Sequence, residues 1–174
     1  MKKKDIRIYV ILCILLISVA VLAIMNRGDA ELRRALEENR EFHIRVDGET
    51  VAVVGLQTLL DLEPQEFVTT FATSVSRPRE TALRGVELRI LLDALDIDTV
   101  DAAFYLATGL DGYYSRLSAE EVARAETVYI CYMMDAEILK PQSEGGYGPF
   151  LLAIRGERFA LRWCKYLEAV DIST

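Results

Sequence analysis

Hydrophobic and polar positions follow three different rhythms along this chain. From Ile8 to Met25 there is no charged residue in 18 positions. At about 1.5 Å rise per residue a helix of that length covers about 27 Å, close to the thickness of a bilayer's hydrocarbon core. In the helix predicted next, AELRRALEENR, opened by Asp29, the apolar positions thin to a stripe of Leu32, Ala35 and Leu36. From Phe42 the period shortens to two. Phe42-His43-Ile44-Arg45-Val46 alternates, Asp47-Gly48 offers a type I′ turn, and Glu49 to Val54 returns as the partner strand. Gly55 to Leu62 is a short amphipathic helix stopped by Pro64, Phe67 to Phe71 reads as a strand, and Ser74 to Thr81 reads as a loop.

The stretch from Arg84 to Glu121 returns to helical spacing. Val86, Leu88, Leu91, Leu92 and Leu95 fall on one side of a short helix, with Glu87, Arg89, Asp93 and Asp96 on the other. Ala103 to Ala107 is a short apolar strand closed by Gly109 and the Asp111-Gly112 turn, and Ser118 with Glu121 forms a capping box that opens another helix. Thr127 to Met134 is a run of strong β-formers, followed by a turn over Met134 to Glu137 and a glycine-rich loop from Pro141 to Pro149. Phe150 to Ile154 and Phe159 to Ile172 read as closing strands about the Arg155-Gly156-Glu157 turn. Strands and short helices so mixed predict an α+β fold, a mixed β-sheet domain with short helices, preceded by one transmembrane helix.

Charge orients that helix. Lys2, Lys3, Lys4 and Arg7 precede the apolar run, and the positive-inside rule keeps them in the cytoplasm and places everything after Asn26 outside. The expected organisation is a basic cytoplasmic N-terminus (1–7), a transmembrane anchor (8–26), a helical stalk (27–41) and an extracytoplasmic domain (42–174). A cleaved signal peptide would end a shorter apolar run in a small-x-small site, which Ala23-Ile24-Met25-Asn26-Arg27 fits poorly. Cys13, in mid-run after Val10, Ile11 and Leu12, is no lipid-modified N-terminus. The membrane is therefore the first expected partner, through a retained single-pass signal anchor in the cell membrane.

The whole chain carries −7, and its first seven residues carry +3, which leaves −10 for the rest. Phosphate backbones repel such a domain, which argues against nucleic acid as a partner. Cys131 and Cys164 could pair in an oxidising exterior or stand as two separate buried thiols. His43, the sole histidine, falls on the polar side of its strand and is expected at the surface, with no second ligand to make a metal site.

Five short motifs occur in one order: Gly85-Val86-Glu87-Leu88, Asp111-Gly112-Tyr113, Leu117-Ser118-Ala119-Glu120-Glu121, the Gly145 to Pro149 loop, and Lys165-Tyr166. Together they resemble the molybdopterin-binding domain of the sulfite-oxidase type, over roughly Glu41 to the C-terminus. The resemblance implies an α+β oxidoreductase fold and a molybdopterin cofactor. It also implies a molybdenum-ligating cysteine near the strand-to-loop transition at 69–76, where a soft thiolate holds the metal. Thr69 to Ser76 contains no cysteine, so the resemblance supports the fold and argues against the chemistry. Phe150 and Leu151 follow Pro149 where the family usually has an arginine, which removes an anion contact, and Tyr166 stands where a tryptophan is common.

The same resemblance implies a ligand pocket drawn from Arg77, Arg79, Asp111, Tyr113, Gly146, Tyr147 and Lys165. Such a pocket requires Arg77, Arg79 and Lys165 to converge on one cleft with at least one tyrosine ring; otherwise the residues scatter and the tyrosines serve the core. No nucleophile elbow, phosphate-binding loop or Cys-x-x-Cys pair is present. Three readings follow: a membrane-anchored, non-catalytic module that binds an anionic small molecule or an envelope protein, a molybdopterin-dependent oxidoreductase, or an interaction domain without a pocket. The topology makes a prediction. In intact cells an external protease should digest the region after Asn26, and protection of that region would reverse the orientation.

Overall fold

The computed structural model describes residues 12–19, 21, 38–73, 76–157 and 159–174, which belong to two units, Met1–Ala35 and Leu36–Thr174. In the first, residues 12–19 are helical (α1), and the Ser18 hydroxyl donates to the carbonyl of Ile14 at 2.9 Å. Among the described residues no helix is long and apolar enough to cross a membrane. Most of the expected anchor and stalk lies outside the described residues.

The second unit holds two sheets. Its first hairpin follows the alternation: β1 (Glu41–Val46) buries Phe42 and Ile44, and β2 (Glu49–Gly55) returns through Asp47 and Gly48 at φ +48° and +85°. Two consecutive left-handed residues are what a type I′ turn needs. The first sheet runs β2-β1-β10-β5-β6, with β10 (Leu167–Ser173) parallel to β1 and antiparallel to β5 (Phe104–Gly109), and with β6 (Tyr114–Ser118) outermost. The turn also catches the C-terminus, because Asp47 accepts from the Thr174 hydroxyl at 2.7 Å and its backbone N–H at 3.1 Å.

In the second sheet β3 (Gln65–Thr73), β4 (Ser76–Glu87), β7 (Val128–Met134) and β8 (Glu137–Ile138) lie in that order, with β9 (Leu151–Ile154) also on β7. The unbroken β-forming run of β7 fits a strand held by three neighbours. Among the described residues the unit also holds the short helices α2 (Leu56–Leu60), α3 (Leu88–Ala94) and α4 (Ala119–Ala123), helical residues 38–39 and a 3-10 turn at Gln142–Glu144. Ser118 and Glu121 make the expected capping box. A mixed α+β fold of two sheets and few short helices is the result.

The structure corrects several local expectations. The segment read as a loop, 74–81, belongs largely to β4, which runs on as one strand to Glu87. Arg77, Pro78, Arg79 and Glu80 are exposed there, so their polarity costs nothing in a strand, while Thr81 and Leu83 point inward opposite Thr69 and Phe67. The helix expected from Val86 begins at Leu88, because Gly85, Val86 and Glu87 pair with β7. Tyr114 to Ser118, which carried no strand signal, is β6, with Ser115 and Leu117 turned inward. Of Phe159 to Ile172 only the part from Leu167 is regular strand; Cys164 makes an isolated bridge with Leu152.

His43 is half-buried rather than superficial. It sits in a strand flanked on both sides, opposite Val53 and Ala169, with Nδ1 buried and without a hydrogen-bond partner among the described residues, and burial lowers its pKa with help from Arg45. Cys131 and Cys164 are two separate buried free thiols.

One contact between strands leaves no latitude. A Cβ on Gly85 would lie 2.2 Å from the Ile130 carbonyl oxygen and 2.7 Å from Cys131 Cα, both backbone atoms that cannot swing aside. Gly85→Ala should therefore cost about 3 kcal/mol or more by forcing β4 from β7. Gly48→Ala, where nothing lies within 4 Å, meets only the strain of its φ of +85°, about 1 kcal/mol. Urea midpoints of the two variants at unchanged slope test the difference, and equal losses would refute it.

Candidate ligand clefts

Six of the seven residues implied by the resemblance divide between two clefts. Asp111, Tyr113 and Lys165 line one of about 240 Å³, together with Ala72, Ala160, Leu161 and Trp163. Arg79, Gly146 and Tyr147 line another of about 370 Å³, with Met134, Asp135 and Lys140 among its walls. Arg77 is exposed on β4 and lines neither. The three cations do not converge on one cleft.

Local chemistry explains each placement. The Asp111 carboxylate accepts from the Tyr113 backbone N–H at 3.0 Å, an Asx turn completed by Gly112 at φ +81°. That turn aims the Tyr113 ring at the segment after Phe159, where its hydroxyl donates to the Leu161 carbonyl at 2.6 Å. Arg79 is committed elsewhere: its guanidinium donates to Asp135 at 2.6 Å, and the same carboxylate takes the Ala82 N–H at 3.0 Å. Gly146 and Gly148 do not open the loop to a ligand. Added Cβ atoms would lie 2.0 Å from the Lys140 carbonyl oxygen and 2.7 Å from Leu139 Cβ, so both glycines serve the loop's own closure.

Lys165 differs from the other cations. Its amine lies 4.7 Å from the centroid of the Tyr147 ring and 5.8 Å from that of Phe71, and no carboxylate among the described residues pairs with it. Burial holds its pKa below the ordinary lysine value, against a smaller opposing pull from Asp111. The ammonium is thus partly desolvated and short of acceptors, facing a cleft whose remaining walls are mainly aromatic and small. Tyr166, beside it, is half-buried at φ +53° and is not among the core residues.

Sequence reasoning missed Ala72, Trp163 and a supporting tie. Trp163, the chain's single tryptophan, donates its indole N–H to the Ile154 carbonyl at 3.2 Å and stacks at a tilt on Phe71. Arg162 bonds Glu157 at 2.6 Å and Glu121 at 2.7 Å, linking the cleft's 160–163 wall to the capping box of α4. The lone tryptophan was a usable signal; an ion pair across 41 positions was not.

The donor set does not fit the molybdenum centre that the resemblance implies. From the 69–76 segment it is Ala72 that reaches the cleft, and the two thiols of this unit are fully buried. Burial pushes Cys164 up to about 12, and Cys131 is raised by burial as well, which disfavours the thiolate form of each. Among the described residues no three histidine, cysteine or acidic side chains are grouped to hold a metal ion.

Fold and clefts together define a two-sheet α+β domain with a small polar and aromatic cleft. Its backbone is similar to that of the sulfane dehydrogenase SoxCD from Paracoccus pantotrophus, with a TM-score of 0.62 and 17% identity, over 76% of this chain and 38% of that one. The likeness is one of fold, and the chain spans well under half of the dehydrogenase it matches. Neither a protein-family model nor a curated protein sequence matches the chain.

The Arg162 tie predicts a pH dependence. Its hydrogen bond to Glu121 is the main cause that lowers the Glu121 pKa below the ordinary 4.5. A lowered folded-state value means that the tie stabilises fully above the ordinary carboxylate range and is lost as pH falls through the lowered one. Between about pH 6 and about pH 3 the thermal midpoint should fall more in the native protein than in Glu121→Gln, which never had the charge to lose. Parallel curves would show that the tie carries no stability.

Proposed function

We propose that this chain is a membrane-anchored, extracytoplasmic, non-catalytic module that uses an oxidoreductase-type fold to bind a small anionic ligand. The site is the cleft of Asp111, Tyr113, Trp163 and Lys165. The observation that carries this reading is the Lys165 ammonium, partly desolvated, packed on aromatic rings and, among the described residues, in no ion pair, with Asp111 exerting only a smaller pull on it. Such a cation is costly until an acceptor reaches it, and a charged acceptor gains most. Tyr113 and Trp163 in the cleft's walls favour a ligand with a flat or apolar body. The Asp111 carboxylate selects against a second negative charge close to the turn. The fold likeness to a dehydrogenase supports a ligand cleft inherited with the architecture, while the missing thiolate donor weighs against a molybdopterin-dependent oxidoreductase.

Titration calorimetry of the full-length protein with sulfate, phosphate and benzoate tests the reading. At least one anion should bind saturably, and Lys165→Ala should weaken it tenfold or more, as expected for a charge-assisted hydrogen bond of about 1.5–3 kcal/mol. The thermal midpoint without ligand should hold or rise. Equal binding by the variant, or no saturable binding at all, would sink the cleft assignment, and stoichiometric molybdenum in the purified protein would favour the oxidoreductase reading.

A further inference from the structure

A third groove, of about 600 Å³, lies between α3, α4 and residues 97–105, and shares no wall residue with the two clefts. Its volume falls within the range of small-molecule sites, which combine apolar walls with a few placed polar groups. Ile90, Leu92, Ile97, Val100, Ala102 and Val122 supply the walls.

The cation in the groove's lining is Arg89, beside the hydroxyl-bearing Thr99 and Tyr105. Its Nε donates to Glu87 Oε2 at 2.7 Å, and that same oxygen takes the backbone N–H of Glu126 at 2.9 Å. Glu87 is 3% exposed, so an anchored carboxylate fixes the plane of the guanidinium. The two terminal amino groups of Arg89 have no partner among the described residues. They form a planar, pre-oriented fork at the groove, the geometry that takes a carboxylate by two parallel hydrogen bonds. The acidic groups at the same groove are Asp93 and Glu120. Glu120 is drawn to Arg124 at 2.9 Å, and Asp93 is exposed without closing on Arg89. Two neighbouring carboxylates penalise a dianion more than a monoanion.

We propose that this groove binds an amphipathic monocarboxylate, its apolar body along the wall from Ile90 to Val122 and its head on the Arg89 fork. The site is separate from the Lys165 cleft and does not depend on it.

The test uses the full-length protein titrated with 4-phenylbutyrate and, as a neutral match, 4-phenylbutanamide. In the Lys165→Ala background, which removes the other anion site, the carboxylate should bind at one site, and the amide at least tenfold more weakly. Arg89→Lys keeps the charge beside Glu87 but loses the fork, and should weaken the carboxylate about tenfold. Ala123→Trp should fill the groove and abolish binding; should it lower the thermal midpoint, Val100→Trp serves instead, since Val100 is 88% exposed. Lys165→Ala should leave the affinity within twofold. The proposal is overturned if nothing saturates, if the amide binds equally, or if a groove-filling variant binds like the native protein. Loss of binding in Lys165→Ala with retention in Ala123→Trp would move the anion to the other cleft, removing this inference while supporting that site.

Discussion

The placement of the last strand, Leu167–Ser173, is the constraint on which the first sheet depends. It lies between β1, to which it is parallel, and β5, to which it is antiparallel. Without it the N-terminal hairpin would have no bond to the rest of that sheet. Leu167, Val170 and Ile172 are fully buried along it, each worth roughly 1.5–3 kcal/mol of apolar burial. The strand starts where Leu110 donates to the Tyr166 carbonyl, and it ends where Asp47 holds Thr174. Gly109 makes the close approach possible, since a Cβ there would lie 2.6 Å from the Lys165 carbonyl oxygen. Seating the strand therefore seats Lys165.

The cleft is shaped by which charges the fold consumes. Arg79, Arg155 and Arg162 are each taken by a carboxylate from a distant part of the chain, Asp135, Glu126 and Glu121. Lys165 lies over rings instead, because the strand geometry at Gly109 and the Tyr147 loop bring aromatic faces rather than acids to its amine. An arginine paired in its own sheet is a structural element, while an ammonium resting on a π-face is still short of hydrogen-bond acceptors. The distinction is one of satisfaction, and it separates two residues with the same formal charge.

A fold similar to that of a dehydrogenase at 17% identity illustrates how far an architecture can persist while its sequence changes. The two sheets need only patterned apolar residues and tight glycines. A metal needs one particular donor at one particular place, and losing it costs the fold nothing.

What the sequence determined by itself was local. The Asp47-Gly48 turn, the Ser118–Glu121 capping box and the Asp111-Gly112 turn each depend on bonds within a few residues, and the run into Met134 shows its strand character in its β-forming residues, so these features are written in adjacent letters. Tertiary structure decided the rest. β4 absorbed the polar run at Arg77–Glu80 because β3 offered a ladder, and Tyr114–Ser118 became a strand because Phe104–Gly109 stood open beside it. Arg79 and Lys165 looked alike as cations until partners from 56 and 18 positions away, Asp135 and Tyr147, fixed one as an ion pair and set the other against an aromatic ring. Propensity acts along the chain, whereas register, burial and the pairing of charges are set across space, and no pattern in one dimension contains them.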